Sequence, residues 1–269
     1  MKTVRRLRPL RVIAPGRSKL ACAFLLALLI PILCVSASEG ERPCSIWLGG
    51  SAGVEYDRNE QYSPLTHSGL VLGFEGGWIV RGRYLIWNGD ITWSSGSVSS
   101  RKNDDFTVDT TMLAGETGLC AVLPISFADT TVAAGLSVSA LWVSTDVEYE
   151  YNADVCNNAF LGVGPSILLE NGTLDRWTFR LYLALPLIAW SWSPDWVNGA
   201  GEDADTEWQS IPDYLLVKAR VSAGLRVSER LEALIFYSFA AERHETPLSS
   251  RRIRNQAGFG LEFDLGSAR

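Results

Sequence analysis

The chain predicts an all-β protein: a closed antiparallel transmembrane β-barrel of ten strands, with eight as the alternative. Three observations carry that expectation. Apolar and polar residues alternate with a period of two, and short connections alternate with long ones. Beyond residue 37, no apolar stretch is long enough for a spanning helix. The alternation is plainest after Tyr214. There Leu215, Val217, Ala219, Val221, Ala223, Leu225 and Val227 are interleaved with Lys218, Arg220, Ser222, Gly224 and Arg226. A period of two sends the two sets to opposite faces of a strand. A tilted strand crosses a bilayer in about 9–11 residues, and the run 215–227 is longer than that.

Ten segments follow in order. Segment 44–57 carries Ile46, Leu48, Ala52, Val54 and Tyr56 on one face, and 66–79 carries Leu70, Leu72, Phe74 and Trp78 with Glu75 opposite. Segment 82–95 shows Leu85, Trp87, Ile91 and Trp93; 107–123 shows Leu113, Leu119, Ala121 and Leu123 opposite Glu116. Segment 130–144 has Val132, Ala134, Leu136, Val138, Ala140 and Trp142, and 159–169 has Leu161, Val163, Ile167 and Leu169. Asn171-Gly172 then reads as a tight hairpin turn. Segment 176–192 places Trp177, Phe179, Leu181, Leu183, Leu185 and Leu187 outward; 214–227, 231–241 and 253–265 complete the set. Asn88-Gly89 could instead divide the third segment, which is the origin of the eight-strand alternative. Connections at 80–81, 124–129, 170–173 and 228–230 are short, whereas 58–65, 96–106, 145–158, 193–213 and 242–252 are longer. Short periplasmic turns and long external loops are the habit of bacterial outer-membrane barrels, and an even count puts both termini in the periplasm. Trp47, Trp78, Trp87, Trp93, Trp142, Trp177, Trp190, Trp192 and Trp196 fall mostly near strand ends, where interfacial aromatics gather.

Residues 1–37 have the layout of a secretory signal peptide, leaving 38–269 as the barrel domain. Seven basic residues precede an apolar run from Leu20 to Val35, and Val35-Ser36-Ala37 offers small residues for cleavage. Leu33 before Cys34 argues against a lipoprotein signal. Without the leader the charge becomes 17 basic against 30 acidic residues. That balance disfavours nucleic acid as a partner, because its affinity comes from neutralised phosphates. It suits solvated external loops, with divalent ions bridging to anionic lipopolysaccharide. Cys44, Cys120 and Cys156 remain, an odd number for an exported chain; Cys44–Cys120 is a conceivable pair across the lumen.

The inward face carries charges of both signs: Glu55, Glu75, Glu116, Arg176, Arg180, Lys218, Arg220, Arg226, Glu232, Glu262 and Asp264. Charges enclosed in a narrow lumen must pair, so a salt-bridged plug is expected over an open polar pore. An acidic external loop is expected from Asp195, Glu202, Asp203, Asp205 and Glu207, which lack the full spacing of a calcium loop. No catalytic, cofactor or metal residues are expected.

Over residues 44–265 the chain resembles the small bacterial outer-membrane barrels, on patterns of alternation and loop length. Ten strands with an acidic, Trp-containing loop after the seventh also resemble the omptin proteases, which use Asp pairs and a His at the barrel mouth. Asp203 and Asp205 stand where an omptin Asp–His dyad would sit, but the second member here is Asp205. The histidines are His67 and His244, with His244 between Glu242 and Glu245 in the neighbourhood. The resemblance implies the outer membrane as location. It also implies outer-membrane lipid, lipopolysaccharide and the barrel-assembly machinery as partners. The expected role is non-enzymatic, structural or adhesin-like surface interaction through the external loops with a host or environmental ligand. A narrow channel or porin for small solutes is the alternative, and an omptin-like hydrolase the third.

Overall fold

Twelve strands are hydrogen-bonded into one closed antiparallel sheet, and they make ten staves. In the computed structural model, residues 44–266 are described except 60–62, 101–102, 128–129, 149–152, 175, 195–203, 211–213 and 245–249. The strands are β1 (Cys44–Asn59), β2 (Ser63–Arg81), β3 (Leu85–Ser100), β4 (Asn103–Phe127), β5 (Thr130–Glu148), β6 (Ala153–Leu174), β7 (Trp177–Ala184), β8 (Ile188–Pro194), β9 (Ala204–Ser210), β10 (Tyr214–Ser228), β11 (Leu231–His244) and β12 (Ser250–Asp264). From β1 to β7 and from β10 to β12 each strand is bonded to its chain neighbours, and β1 closes on β12. Both β7 and β8 pair with β6, while β9 pairs with β8 and β10 with β7. The pairs β7/β8 and β9/β10 are therefore each one interrupted stave.

The interruption after β7 has a covalent cause. Pro186 cannot donate to the ladder; its neighbours Leu185 and Leu187 donate instead to Pro165 O at 3.0 Å and Val163 O at 2.9 Å. One extra residue is accommodated, so the inward parity switches from Tyr182 and Ala184 to Ala189 and Ser191. The segment 176–192 is thus two strands with a parity change, and Leu187 and Ile188 both face outward. Pro186 packs inward over Gly162, where an added Cβ would meet the Pro186 Cβ at 2.8 Å.

Asn88-Gly89 is not a turn. It lies inside β3, with Gly89 opposite Trp78 on β2 and Thr117 on β4, which removes the eight-strand alternative. Gly is needed there because a Cβ would stand 2.3 Å from the Trp78 ring. Asn171-Gly172 likewise belongs to β6. The register shifts between Asn171 and Leu174, and the reversal falls between Leu174 and Trp177. A bulge absorbs the flexible dipeptide that sequence reading assigns to the turn.

The outward face carries the apolar belt. On β1, β12 and β11 it is six rows deep, from Ile46–Phe263–Leu231 to Tyr56–Ile253–Ala241. Eleven residues at a rise of about 3.4 Å, tilted about 40°, span roughly 26 Å, which matches the apolar band of outer-membrane barrels. Large side chains stand bare on it: Phe259 is 77% exposed, Phe74 71% and Leu48 64%. Through the belt the described staves close into a ring, each paired on both sides, the condition for spanning lipid with strands. Trp78, Trp87 and Trp177 lie outward toward the short-turn end. Trp78 and Trp87 meet edge-on at 6.3 Å, and the Trp87 indole N–H donates to Thr117 Oγ1 at 2.7 Å. Trp47 departs from the expected interfacial set: it is buried in the lumen against Phe236.

The expected long external loops are largely strand. β3 runs to Ser100 and β4 begins at Asn103; β5 runs to Glu148 and β6 begins at Ala153. β9 occupies part of the expected acidic loop 193–213. The connections at the other end remain short, as expected at 82–84 and 229–230. What alternates is how far the hairpins overhang the belt. By the habit of such barrels the overhang is the outer end, and the short turns are periplasmic.

Candidate functional site

The inward face is filled by three tiers of charge, paired partly between neighbouring strands and partly across the ring. Nearest the short turns, Arg81 on β2 donates to Glu170 on β6 at 2.9 and 2.7 Å. Arg180 on β7 donates to the same Glu170 at 2.7 Å and makes a two-pronged contact with Glu262 on β12, one arm at 2.9 Å. Glu232 accepts from Thr178 at 2.8 Å, and Arg226 stands 4.0 Å from it at the rim.

The middle tier lies between the other two, near the centre of the belt. Arg220 on β10 reaches Glu75 on β2 at 2.8 Å, and Lys218 reaches Glu116 on β4 at 3.1 Å. Both pairs are chords across the ring, not contacts between neighbouring strands. The Arg220 guanidinium also sits in the corner between two tilted rings, 3.7 Å from the Trp47 ring centre and 4.3 Å from that of Phe236. Such a cation–π clamp holds a desolvated arginine in one place. Gly258 makes room for it, because a Cβ there would meet the Phe236 ring at 2.3 Å. Ser139 adds a donor to Glu116 at 3.0 Å, and Asp90 lies in the same tier.

Toward the outer end, Arg254 on β12 donates to Glu55 on β1 at 2.8 Å and to Ser94 on β3 at 2.6 Å. Arg252 lies 3.3 Å from Glu55, 3.6 Å from Asp57 and 3.9 Å from Glu242. His67 is buried here and is the register partner of Asp57. The two lumen cavities described are small, about 60 Å³ beside Trp47 and Tyr182 and about 80 Å³ between Glu75, Glu116 and Leu216. Either holds a few waters at most.

Most predicted lumen charges are where the parity places them: Glu75, Glu116, Arg180, Lys218, Arg220, Glu232 and Glu262 all face inward. Two do not belong to the plug. Arg176 lies in the β6–β7 turn and is exposed, because the reversal comes later than Asn-Gly suggested. Arg226 is 42% exposed at the periplasmic rim, as the barrel ends there. Arg81, Glu170, Glu242 and Arg252 complete the tiers although sequence reading gave them to turns or loops. They were detectable by extending the period-two parity past the apolar belt.

Of the acidic loop, Asp195, Glu202 and Asp203 lie outside the described residues. Asp205 and Glu207 are strand residues of β9, paired in register with Ser193 and Ser191. That backbone pairing replaces the mobile loop expected there. His244 is a strand residue too, in register with Tyr214 and Ser250. Cys44 and Cys120 are separate buried thiols, so the conceivable cross-lumen pair is not formed. Cys120 Sγ instead lies 3.4 Å from Ser166 Oγ. No group of acids, histidines and cysteines among the described residues is arranged to hold a metal ion.

A closed ten-stave barrel with an apolar outer belt and a charged interior is a small bacterial outer-membrane β-barrel. Among solved structures the chain is similar to the outer membrane protease OmpT from Escherichia coli: 8% identity, TM-score 0.51, covering 82% of this chain and 95% of that one. It is also similar to the translocator domain of the autotransporter NalP from Neisseria meningitidis: 9% identity, TM-score 0.41, covering 93% of this chain and 98% of that one. Neisserial surface protein A follows at 8% identity, TM-score 0.36, covering 82% of this chain and 97% of that one. At these identities the likeness concerns the fold. No family model and no curated protein matches the chain.

Proposed function

We propose that this barrel is a non-enzymatic surface protein of the outer membrane, whose overhanging hairpins meet a host or environmental ligand. The observation that carries this reading is the cross-lumen ion pairing, above all Arg220–Glu75 and Lys218–Glu116 in the middle tier. A lumen occupied by its own side chains leaves the overhang as the surface for contact. Export by the 1–37 leader and delivery by the barrel-assembly machinery belong to the same proposal.

The test is purified, refolded barrel in planar bilayers, followed by binding to immobilised host-matrix proteins. The expected result is no unitary conductance in wild type, and binding lost when the outer hairpins are shaved by protease. Reproducible conductance steps would favour the narrow channel instead. The small cavities near Arg220 favour that second reading only if the clamp moves, so Arg220→Ala is the informative variant. A mouth-located hydrolase is retired by intact mass: basic peptides incubated with wild type, Asp203→Ala and His244→Ala are expected to remain uncut in all three.

A further inference from the structure

The barrel wall has a seam at the Pro186 interruption. The ladder between β10 and β7 ends at Lys218–Ala184. Farther toward the outer end, β8 takes β9 as its partner on that side. Among the described residues, no ladder pair joins Tyr214–Val217 of β10 to residues 185–187. The Leu185 and Leu187 N–H groups donate the other way, to β6, and Pro186 has none to give. The seam lies at membrane depth, since its β6 flank shows Leu161, Val163 and Ile167 to lipid. Its own outward lips are Leu187 and Ile188 on one side, Leu215 and Val217 on the other. Behind the seam the lumen changes character. The tiers elsewhere are charged, but here Met112, Leu141, Val143, Phe160, Tyr214 and Leu216 belong to one buried apolar cluster. Phe160 and Tyr214 stack within it at 5.8 Å. The cavity of about 80 Å³ opens against this cluster, with Met112, Leu141 and Leu216 on its wall and Glu75 and Glu116 of the middle tier deeper in. Leu216 therefore belongs both to the seam and to the cavity wall. Hydrocarbon, apolar lips, apolar cluster and cavity follow one another through the wall without a charge between them.

We propose that the seam is a lateral port, through which the end of an acyl chain of an outer-leaflet lipid enters the barrel and seats in the cavity beside Leu216. Irregular backbone at membrane depth is tolerated where protein or a cavity lies behind it, and both lie behind this stretch. The occupant is a chain and not a ring, because the cavity has roughly half of the ~150 Å³ that admits benzene. Lipid is the source because the lips open onto hydrocarbon, whereas the way in from either mouth passes the charged tiers. The port requires the barrel to sit in the membrane, but neither a closed lumen nor an environmental ligand. Conductance of the barrel therefore leaves this proposal standing, and failure here leaves the plug standing.

The test uses the full folded barrel in phosphatidylcholine vesicles that include a phosphatidylcholine with a diazirine at the end of one acyl chain. Irradiation and peptide mass spectrometry locate the adducts, and heat-modifiable gel migration confirms folding of every variant. In wild type, adducts are expected on the inward Leu141, Tyr214 or Leu216 as well as on the outward Phe259, which serves as reference. Ala240 also lines the cavity, and Ala240→Leu fills it. Inward adducts should then fall about 25-fold relative to Phe259, by the free energy of filling a cavity of that volume. A cysteine pair, Leu185→Cys with Val217→Cys, bridges the seam one row beyond the last ladder pair. Made together with Cys156→Ser, its disulfide should abolish the inward adducts, and a reductant should restore them. Adducts confined to outward residues in wild type overturn the proposal. Inward adducts that persist behind the closed disulfide overturn the port, and inward adducts undiminished in folded Ala240→Leu overturn the seat. Should Ala240→Leu fail to fold, the cysteine pair read with and without reductant decides alone.

Discussion

Arg251 and Arg252 are neighbours in the chain, yet they meet opposite electrostatic worlds. Arg252 faces the lumen, within 4 Å of carboxylates of Glu55, Asp57 and Glu242. Arg251 faces outward, in register with two more arginines. The difference lies in what must supply the counter-charge. In the lumen the protein itself supplies it, because a desolvated charge left alone costs several kcal/mol. On the outer wall the solvent, its ions or a lipid headgroup can do so. Inward charges are therefore mixed in sign within every tier, whereas outward charges are sorted by wall, basic on β1, β12 and β11 and acidic on β4 and β5.

The largest way to break this contrast is to strip one partner from the plug. Arg180→Met takes the two-pronged partner from Glu262 and leaves Glu170 and Glu262 to share Arg81 alone, at 2.7 and 3.9 Å; removing one member of a buried pair costs up to about 3–5 kcal/mol. Urea titration of the barrel folded in lipid vesicles measures it; a loss under about 1 kcal/mol would mean that the lumen is wet. Next in size is a charge placed on the lipid face. Phe259→Arg, mid-belt, is expected to cost about 2–4 kcal/mol, and Ile253→Arg, at the top row, about 0–1 kcal/mol. Equal costs at both positions would show that the belt does not mark the hydrocarbon. A sharper variant removes both charges of one chord: Glu75→Leu with Arg220→Met should be neutral or stabilising by up to about 4 kcal/mol. In planar bilayers that variant should stay silent. The smallest effect is expected on the acidic wall. Asp146→Asn relieves a like-charge pair with Asp109 and should stabilise by about 0.2–1 kcal/mol, an effect that fades as salt is raised.

Face assignment was legible in the sequence because lipid and lumen demand opposite chemistry at every second residue. Over 217–227 on β10 and 257–263 on β12 the odd residues are apolar and the even ones between them polar or small, and the register carries that division onto the neighbouring strands. Above the belt that contrast weakens, since the outward face meets water and is polar too. Residues 96–106 look like loop for this reason, although β3 continues to Ser100 and β4 begins at Asn103. The same blindness hid Glu242 and Arg252, which complete the outer tier. Gly89 and Gly172 misled differently. Each permits a turn but serves another need, clearance for Trp78 in one case and a bulge in the other. The ion-pair partners were out of reach, because Arg254 and Glu55 lie 199 residues apart and Arg220 and Glu75 145. Hairpin register alone pairs Glu170 with Arg180 and Glu242 with Arg252, but which acid a chord residue such as Arg220 meets depends on the shear of the closed ring. The basic row needed that register too, since Arg58, Arg243 and Arg251 come from three separate strands.

The most direct test is a nitroxide scan of residues 256–265 on β12 and just beyond it, with the barrel in lipid vesicles, recording collisions with oxygen and with a water-soluble nickel chelate. Labels at 257, 259, 261, 263 and 265 should collide with oxygen and resist nickel, while those at 256, 258, 260, 262 and 264 resist both, oscillating with a period of two. Nickel access rising at every second site would reveal a water-filled pore, and access without oscillation would mean that this strand faces neither lipid nor a packed interior.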